Sequence, residues 1–199
     1  MKLIKILQAL LFLTIISPGL SVAAVMTFDG NNQVTGATGL VVGDLGTYDV
    51  AFTEGSCINL FSGCDNAVED FTFSTIEGAR DAMKALAELI YVEDSIYDND
   101  ASLILGCETG LCVIATTFSF DEFGKVRTFV YSNRDEGSQY SDGFYTSNLT
   151  KSRNTTLMDW YTYAVWTPHG ETTNVSEPST LSLFMIPLAG LMLLRIKNS

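Results

Sequence analysis

Four cysteines are the residues of this chain whose spacing most clearly predicts chemistry. Cys57 and Cys64 form one close pair, and Cys107 and Cys112 form a second. In an oxidising compartment such pairs form disulfides. We favour the two local bonds because each short loop contains glycine, while crossed pairing stays open. A zinc site held by four thiolates usually needs two-residue spacings, which neither pair has, so the sequence predicts disulfides and no metal.

Residues that could catalyse a reaction are few. The single histidine, His169, follows Pro168, where a solvated loop residue is expected rather than a base. Acidic pairs such as Asp121 and Glu122 are adjacent, which does not provide the separation across a cleft that glycosidases use. The chain has neither a Gly-x-Ser-x-Gly string nor a glycine-rich phosphate loop. We predict no catalytic residue, no cofactor and no enzymatic activity.

Alternating oxygen ligands resemble the start of a calcium loop. They are Asp94, Asp98, Asp100 and Ser102. A calcium loop needs glycine at its sharp turn and glutamate at its last position, where this chain has Leu103 and Thr109. We therefore favour a solvated acidic loop over a calcium site.

Aromatic residues are concentrated in the C-terminal half of the chain. They are Tyr131, Tyr140, Phe144, Tyr145, Trp160, Tyr161, Tyr163 and Trp166. Exposed flat rings could bind sugar faces by stacking, but aromatic packing inside a sheet is the favoured interpretation. Strand alternation predicts Trp160 and Trp166 on one face, with Tyr161 and Tyr163 on the other.

These residues must be positioned by one helix and several strands. Residues 77–91 show helical periodicity, with a capping box from Ser74 to Glu77 and an apolar face of Ile76, Ala79, Met83, Leu86, Ala87 and Ile90. Strands are predicted at residues 39–42, 47–53, 71–74, 112–120, 126–132 and 157–167, with hairpin turns at 43–46 and 121–124. The predicted fold is α+β, with one amphipathic helix on a mainly antiparallel sheet.

The N-terminus has the pattern of a secretory signal peptide. Lys2 and Lys5 precede an apolar run, and small residues end at Ala24. We predict a signal peptide at 1–24, a single exported domain at 25–167, a polar linker at 168–175 and a separate C-terminal segment at 176–199.

The C-terminal segment combines a short polar motif, an apolar run and a basic end. The motif is Glu177, Pro178 and Ser179, and the end carries Arg195 and Lys197. This arrangement resembles the PEP-CTERM sorting signal of exosortase substrates, although Ser176 stands where that family has its first proline. The apolar run 181–194 reaches roughly 21 Å as a helix, which is short for a bilayer span. An ordinary single-span anchor is the alternative.

The resemblance implies a destination and processing partners. It implies a Gram-negative bacterium, cleavage by signal peptidase and exosortase, anchoring in the inner membrane through a hydrophobic helix, and then the cell surface or extracellular polysaccharide matrix. The expected role is a structural or interaction component of the envelope or matrix. The alternatives are a membrane-anchored module that binds carbohydrate or calcium, and a secreted enzyme of unrecognised type.

Charge limits the partners of the exported domain. The chain carries 11 basic and 23 acidic residues, and four of the basic residues lie in the end segments. Seven basic residues therefore remain against 22 acids before Glu177, a net charge of -15. This composition excludes nucleic acid as a partner and favours repulsion of anionic polymers.

Overall fold

A seven-stranded mixed sheet forms the framework of the protein. The computed structural model describes residues 23–93, 95–139 and 141–170. Its strands are β1 (Val25–Phe28), β2 (Val34–Val42), β3 (Gly46–Thr53), β4 (Leu111–Phe120), β5 (Val126–Arg134), β6 (Gly143–Leu149) and β7 (Tyr161–Pro168). They lie in the order β1-β2-β3-β7-β4-β5-β6. Strands β4 and β7 are parallel, whereas β1–β2, β2–β3, β4–β5 and β5–β6 are antiparallel.

One long helix and three single-turn helices accompany the sheet within the described ranges. They are α1 (Cys57–Leu60), α2 (Ala67–Asp70), α3 (Ile76–Ile90) and α4 (Ile96–Asn99). Short 3-10 turns lie at Ala101–Leu103 and Thr155–Leu157. This combination agrees with the predicted α+β class. None of the helices in the described part of the chain is long and apolar enough to cross a bilayer.

Helix α3 matches the predicted amphipathic helix, but its cap differs. Thr75, rather than Ser74, precedes the first helical residue, and its Oγ1 accepts a hydrogen bond of 3.1 Å from the backbone N–H of Gly78. The helix begins at Ile76, which is one residue later than a cap at Ser74 implies and one residue earlier than the predicted range 77–91. Gly78 therefore takes the N3 position that Glu77 was expected to fill.

The apolar face of α3 forms the core on one side of the sheet. Its buried residues include Ala79, Met83, Leu86 and Ile90, which pack in one cluster with side chains of β2, β4 and β5. Full burial of the larger apolar side chains contributes roughly 1.5–3 kcal/mol each in transfer free energy. This face therefore fixes α3 on the sheet.

The opposite face of the sheet is also covered. Val113, Ala115, Tyr161 and Tyr163 form a second cluster there, against which Leu60 and Phe61 pack. Strand β4 is consequently buried on both faces, since Ile114 belongs to the cluster under α3. A strand buried on both faces has a nearly continuous apolar sequence, as residues 112–115 do.

Both disulfides join cysteines within local loops. Cys57 bonds to Cys64 and Cys107 bonds to Cys112. All four side chains are fully buried. The pairing is the one favoured from the sequence, and the first bond holds the segment that covers the second core cluster. The two disulfides fit an exported protein.

Two strand predictions require correction. Residues 71–74 are not a strand: Phe71 packs in a cluster with Cys57 and Cys64, whereas Phe73 packs under α3. The segment thus links the two buried layers. Strand β7 begins at Tyr161 rather than at residue 157, because Asn154 caps a 3-10 turn by accepting a hydrogen bond from the N–H of Thr156.

Two turns lie where they were predicted, and two strands were missed. The turns at 43–46 and 121–124 connect β2 to β3 and β4 to β5, as predicted. Strands β1 and β6, which form the two edges of the sheet, were not predicted.

The contacts within the chain divide it into two units, with the boundary between Thr167 and Pro168. Residues 168–170 are the described part of the second unit. Positions 1–22 and 171–199 lie outside the described residues.

Candidate functional site: an aromatic groove

The predicted aromatic set separates into core residues and surface residues. Tyr161, Tyr163 and Trp166 are buried on β7, as the packing interpretation predicted. Trp166 lies in the cluster under α3, opposite the two tyrosines. Trp160 precedes the strand and is 38% exposed, so it does not share the packed environment of Trp166. Tyr140 lies outside the described residues.

Two members of the set, Tyr131 and Phe144, meet at the surface beside α3. They are directly paired across β5 and β6, and their ring centroids are 4.8 Å apart. Tyr91, at the C-terminal end of α3, adds a third ring, whose centroid is 4.8 Å from that of Tyr131. The sequence prediction missed Tyr91 in this role because it placed that residue only as the end of the helix.

The three rings line an open groove of about 290 Å³. Its remaining walls come from Lys84, Ala87 and Glu88 of α3. Residues three and four apart lie on one face of a helix, so α3 brings an ammonium group, a methyl group and a carboxylate to the groove. The volume is close to the lower end of ligand pockets, which is roughly 300 Å³. The groove can therefore take a ring-sized group.

Both phenol groups of the groove are held neutral. The hydroxyl of Tyr91 is buried and has no hydrogen-bond partner among the described residues. Burial raises the pKa of Tyr91 well above its usual value, and the neighbouring Tyr131, Asp142 and Asp98 raise it further. Burial, followed by Asp142 and Asp98, raises the pKa of Tyr131 to about 12. Neutral phenols can both donate and accept hydrogen bonds.

Asp142 adds a carboxylate near these phenols. Burial is the main reason that its pKa is raised, and the backbone N–H of Arg134 acts in the opposite direction by donating a hydrogen bond of 2.8 Å to Oδ1. Asp142 immediately precedes β6 and so lies two positions from Phe144. The end of the groove nearest Asp142 is thus acidic, while Lys84 contributes a positive charge from α3.

The predicted calcium loop has a different local structure. Asp98 lies in α4, which Ser95 caps, and Asp100 caps the following 3-10 turn. Oδ1 of Asp100 accepts hydrogen bonds from the N–H and the hydroxyl of Ser102, at 3.0 and 2.6 Å. Asp94 lies outside the described residues. Nowhere in the described ranges do three His, Cys, Asp or Glu side chains form a group that could hold a metal ion.

A second acidic group lies around Glu54. Burial raises the pKa of Glu54, and Glu108 and Asp159 raise it further. The group belongs to the loops around the Cys107–Cys112 disulfide and does not line the groove. The group brings like charges together, and we place no ligand there.

The residues predicted to act in sorting lie outside the described part of the chain. They are Glu177, Pro178, Ser179, Arg195 and Lys197. Among the described residues, the aromatic groove combines flat rings, neutral hydroxyls and a charged rim, which is suited to binding rather than to proton transfer. No family model, curated protein or solved structure matches this chain.

Proposed function

We propose that the chain is an exported surface protein whose domain binds carbohydrate of the extracellular matrix through the aromatic groove. The observation that carries this proposal is the cluster of the tilted rings of Tyr91, Tyr131 and Phe144 beside a charged helix face. The proposed role is binding, and the absence of enzymatic activity stays a prediction.

The chemistry of the groove suits a sugar ring. One face of a pyranose presents C–H groups, which pack on aromatic faces, while its rim presents hydroxyls. Glu88 can accept hydrogen bonds from those hydroxyls, and Lys84 can donate to them. The groove is preformed by strand pairing and by α3, so little ordering is required on binding.

The domain is proposed to reach its site by export and sorting. The signal peptide at 1–24 and the PEP-CTERM-like tail at 176–199 supply the address, with signal peptidase and exosortase as processing partners and the inner membrane as the temporary anchor. The two disulfides fit this route, because such bonds persist in oxidising compartments.

Replacement of Phe144 tests the groove. The full-length chain is tested on an array of neutral glycans. We expect Phe144→Ala to bind the glycans that the wild type recognises about tenfold more weakly, because one stacking surface is lost. Phe123→Ala is the matched control, since Phe123 is 77% exposed on the β4–β5 turn and lies outside the groove. Equal affinities for Phe144→Ala and the wild type, or no binding of the wild type to any glycan, would contradict the proposal.

Intact-mass measurement tests the sorting signal. We expect the chain to end near Glu177 or Pro178 when it is expressed with an exosortase and to retain Ser199 without the enzyme. A variant with Glu177→Ala and Pro178→Ala should keep its full length in both hosts. An unprocessed wild-type chain in the presence of the enzyme would favour the alternative of an ordinary membrane anchor.

A further inference from the structure

The few basic residues of the domain are unevenly distributed. Of the seven that lie between the end segments, four occupy positions 125–127 and 151–153: Lys125, Arg127, Lys151 and Arg153. The first pair flanks Val126, the first residue of β5, and the second pair follows β6. Val126 pairs with Leu149 in the sheet, so the two basic segments lie side by side at one end of these strands.

Two of these cations are fixed in other contacts. The guanidinium of Arg127 lies 5.1 Å from the ring centroid of Phe118, and Nζ of Lys151 lies 4.3 Å from that of Phe120. Such cation–π contacts hold the charge near the sheet without neutralising it. They keep the local potential positive in an otherwise acidic domain.

Lys125 and Arg153, the other two cations, line a cavity. It measures about 280 Å³ and is also lined by Asn148, Leu149 and Thr150. A second cavity of about 350 Å³ shares Thr150 and Arg153 and adds Ser152 and Asn154. Ammonium, guanidinium, amide and hydroxyl donors therefore converge on one region, as binding of an oxyanion requires.

Neither cation of this cavity forms a salt bridge within the described residues. No carboxylate there lies within 4.0 Å of the Lys125 ammonium or the Arg153 guanidinium. Asp121 is close, but its carboxylate already accepts three hydrogen bonds, from the N–H groups of Phe123 and Lys125 and from Nδ2 of Asn148. These bonds hold the turn that positions Lys125.

One exposed face of β6 connects the cavity to the aromatic groove. Alternation places Phe144, Thr146 and Asn148 on the same side of the strand, and all three are exposed. Phe144 lines the groove and Asn148 lines the cavity. At about 3.3 Å per residue the two sites are roughly 13 Å apart along the strand, so one extended polymer can reach both.

We propose that the ligand is an acidic polysaccharide that contains uronic acids and lies along β6. A sugar ring stacks in the groove at Phe144, and a carboxylate further along the polymer binds between Lys125 and Arg153, where a guanidinium can hold it with two hydrogen bonds. This inference rests on the function proposed above and adds the class of substrate. The acidic remainder of the domain repels a polyanion, which confines the polymer to this path.

Binding of the full-length chain to three polymers tests the inference. The probes are polygalacturonate, the same polymer after reduction of its carboxyl groups, and dextran sulfate. We expect Lys125→Ala combined with Arg153→Ala to weaken binding of polygalacturonate about tenfold or more and to leave the carboxyl-reduced polymer unaffected. Arg80→Ala removes a cation that pairs with Asp81 on α3 and should change neither affinity. Added salt should weaken only the part of the binding that depends on the carboxylates of the polymer.

The outcomes separate this inference from the function on which it rests. Equal affinity for the acidic and reduced polymers, with loss of both in Phe144→Ala, would overturn the uronate site and leave the carbohydrate groove intact. Binding of polygalacturonate that needs Lys125 and Arg153 but not Phe144 would overturn the groove. Equal or tighter binding of dextran sulfate would overturn the uronate assignment, since any polyanion would then suffice. Circular dichroism of each variant establishes that the fold is retained.

Discussion

Trp166→Ala is expected to lower the free energy of unfolding by about 3–5 kcal/mol. The indole is only 5% exposed, and it packs edge-on against Phe73 in the core under α3, with ring centroids 5.5 Å apart. Its Nε1–H donates a buried hydrogen bond of 3.0 Å to Oγ1 of Thr116. Truncation therefore leaves a cavity and also an unsatisfied hydroxyl group on β4.

Urea denaturation followed by circular dichroism measures this effect. Trp160→Ala is the matched control, because it removes the same side chain from a partly exposed position before β7 begins. We expect Trp160→Ala to lower the free energy of unfolding by less than about half as much as Trp166→Ala, since little packed volume is lost. Similar losses in the two variants would show that burial on β7 does not govern the stability of this sheet.

Removal of the Cys57–Cys64 disulfide is expected to lower the free energy of unfolding by about 2–3 kcal/mol. The bond closes a short loop with a sequence separation of 7, and short loops stabilise less than long ones because less entropy of the unfolded chain is removed. Both cysteines also belong to one buried cluster with Phe71 and Val126. A variant with Cys57→Ala and Cys64→Ala should therefore melt at a lower temperature than the wild type under oxidising conditions.

Melting in the presence of a reductant separates the contribution of the disulfide bond to stability from that of side-chain packing. In reductant the melting temperature of the wild type should fall toward that of the double variant, while the double variant should shift only by the contribution of the second disulfide. A variant in which all four cysteines are replaced by alanine should have a melting temperature that does not change with reductant. Wild-type melting that is independent of reductant would contradict a stabilising role for either bond.

Local sequence patterns predicted the elements that depend on near neighbours. The periodicity of α3, the turn at 43–46 and the pairing of Cys57 with Cys64 are all set within fewer than twenty residues, and each was predicted. The cap of α3 was misplaced by one residue, because Ser74 and Thr75 offer the same hydroxyl acceptor and only the backbone path selects between them.

The edge strands were missed for a different reason. β6 is mostly exposed, so its sequence has no alternation between apolar and polar residues for a pattern to detect. β2 was predicted only from residue 39, because Gly36 weakens the strand pattern. The structure requires glycine there: its φ is +148°, and a Cβ would collide with the backbone carbonyl of Val50.

The groove could not be predicted because its members are distant in the sequence. Phe144 and Tyr131 were both singled out as possible sugar-stacking residues, but their partner Tyr91 lies forty positions before Tyr131. Only the packing of α3 against β5 brings Tyr91 to the pair. The same is true of Lys125 and Arg153, which the register of β5 and β6 brings together. The net charge of the domain did not indicate this local cavity, because a net negative charge predicts only repulsion of anions.

The position of β7 determines how the domain would respond to a force on the C-terminal anchor proposed above. The chain leaves the described fold through β7, which lies between β3 and β4 in the interior of the sheet. A force transmitted from a C-terminal tether would act along this strand and load the hydrogen bonds on both of its sides together in shear. An edge strand such as β6 could instead be peeled away one bond at a time. With the proposed anchor, the domain would be held by its mechanically stronger strand, and the force would not act on the edge that is proposed to bind polymer.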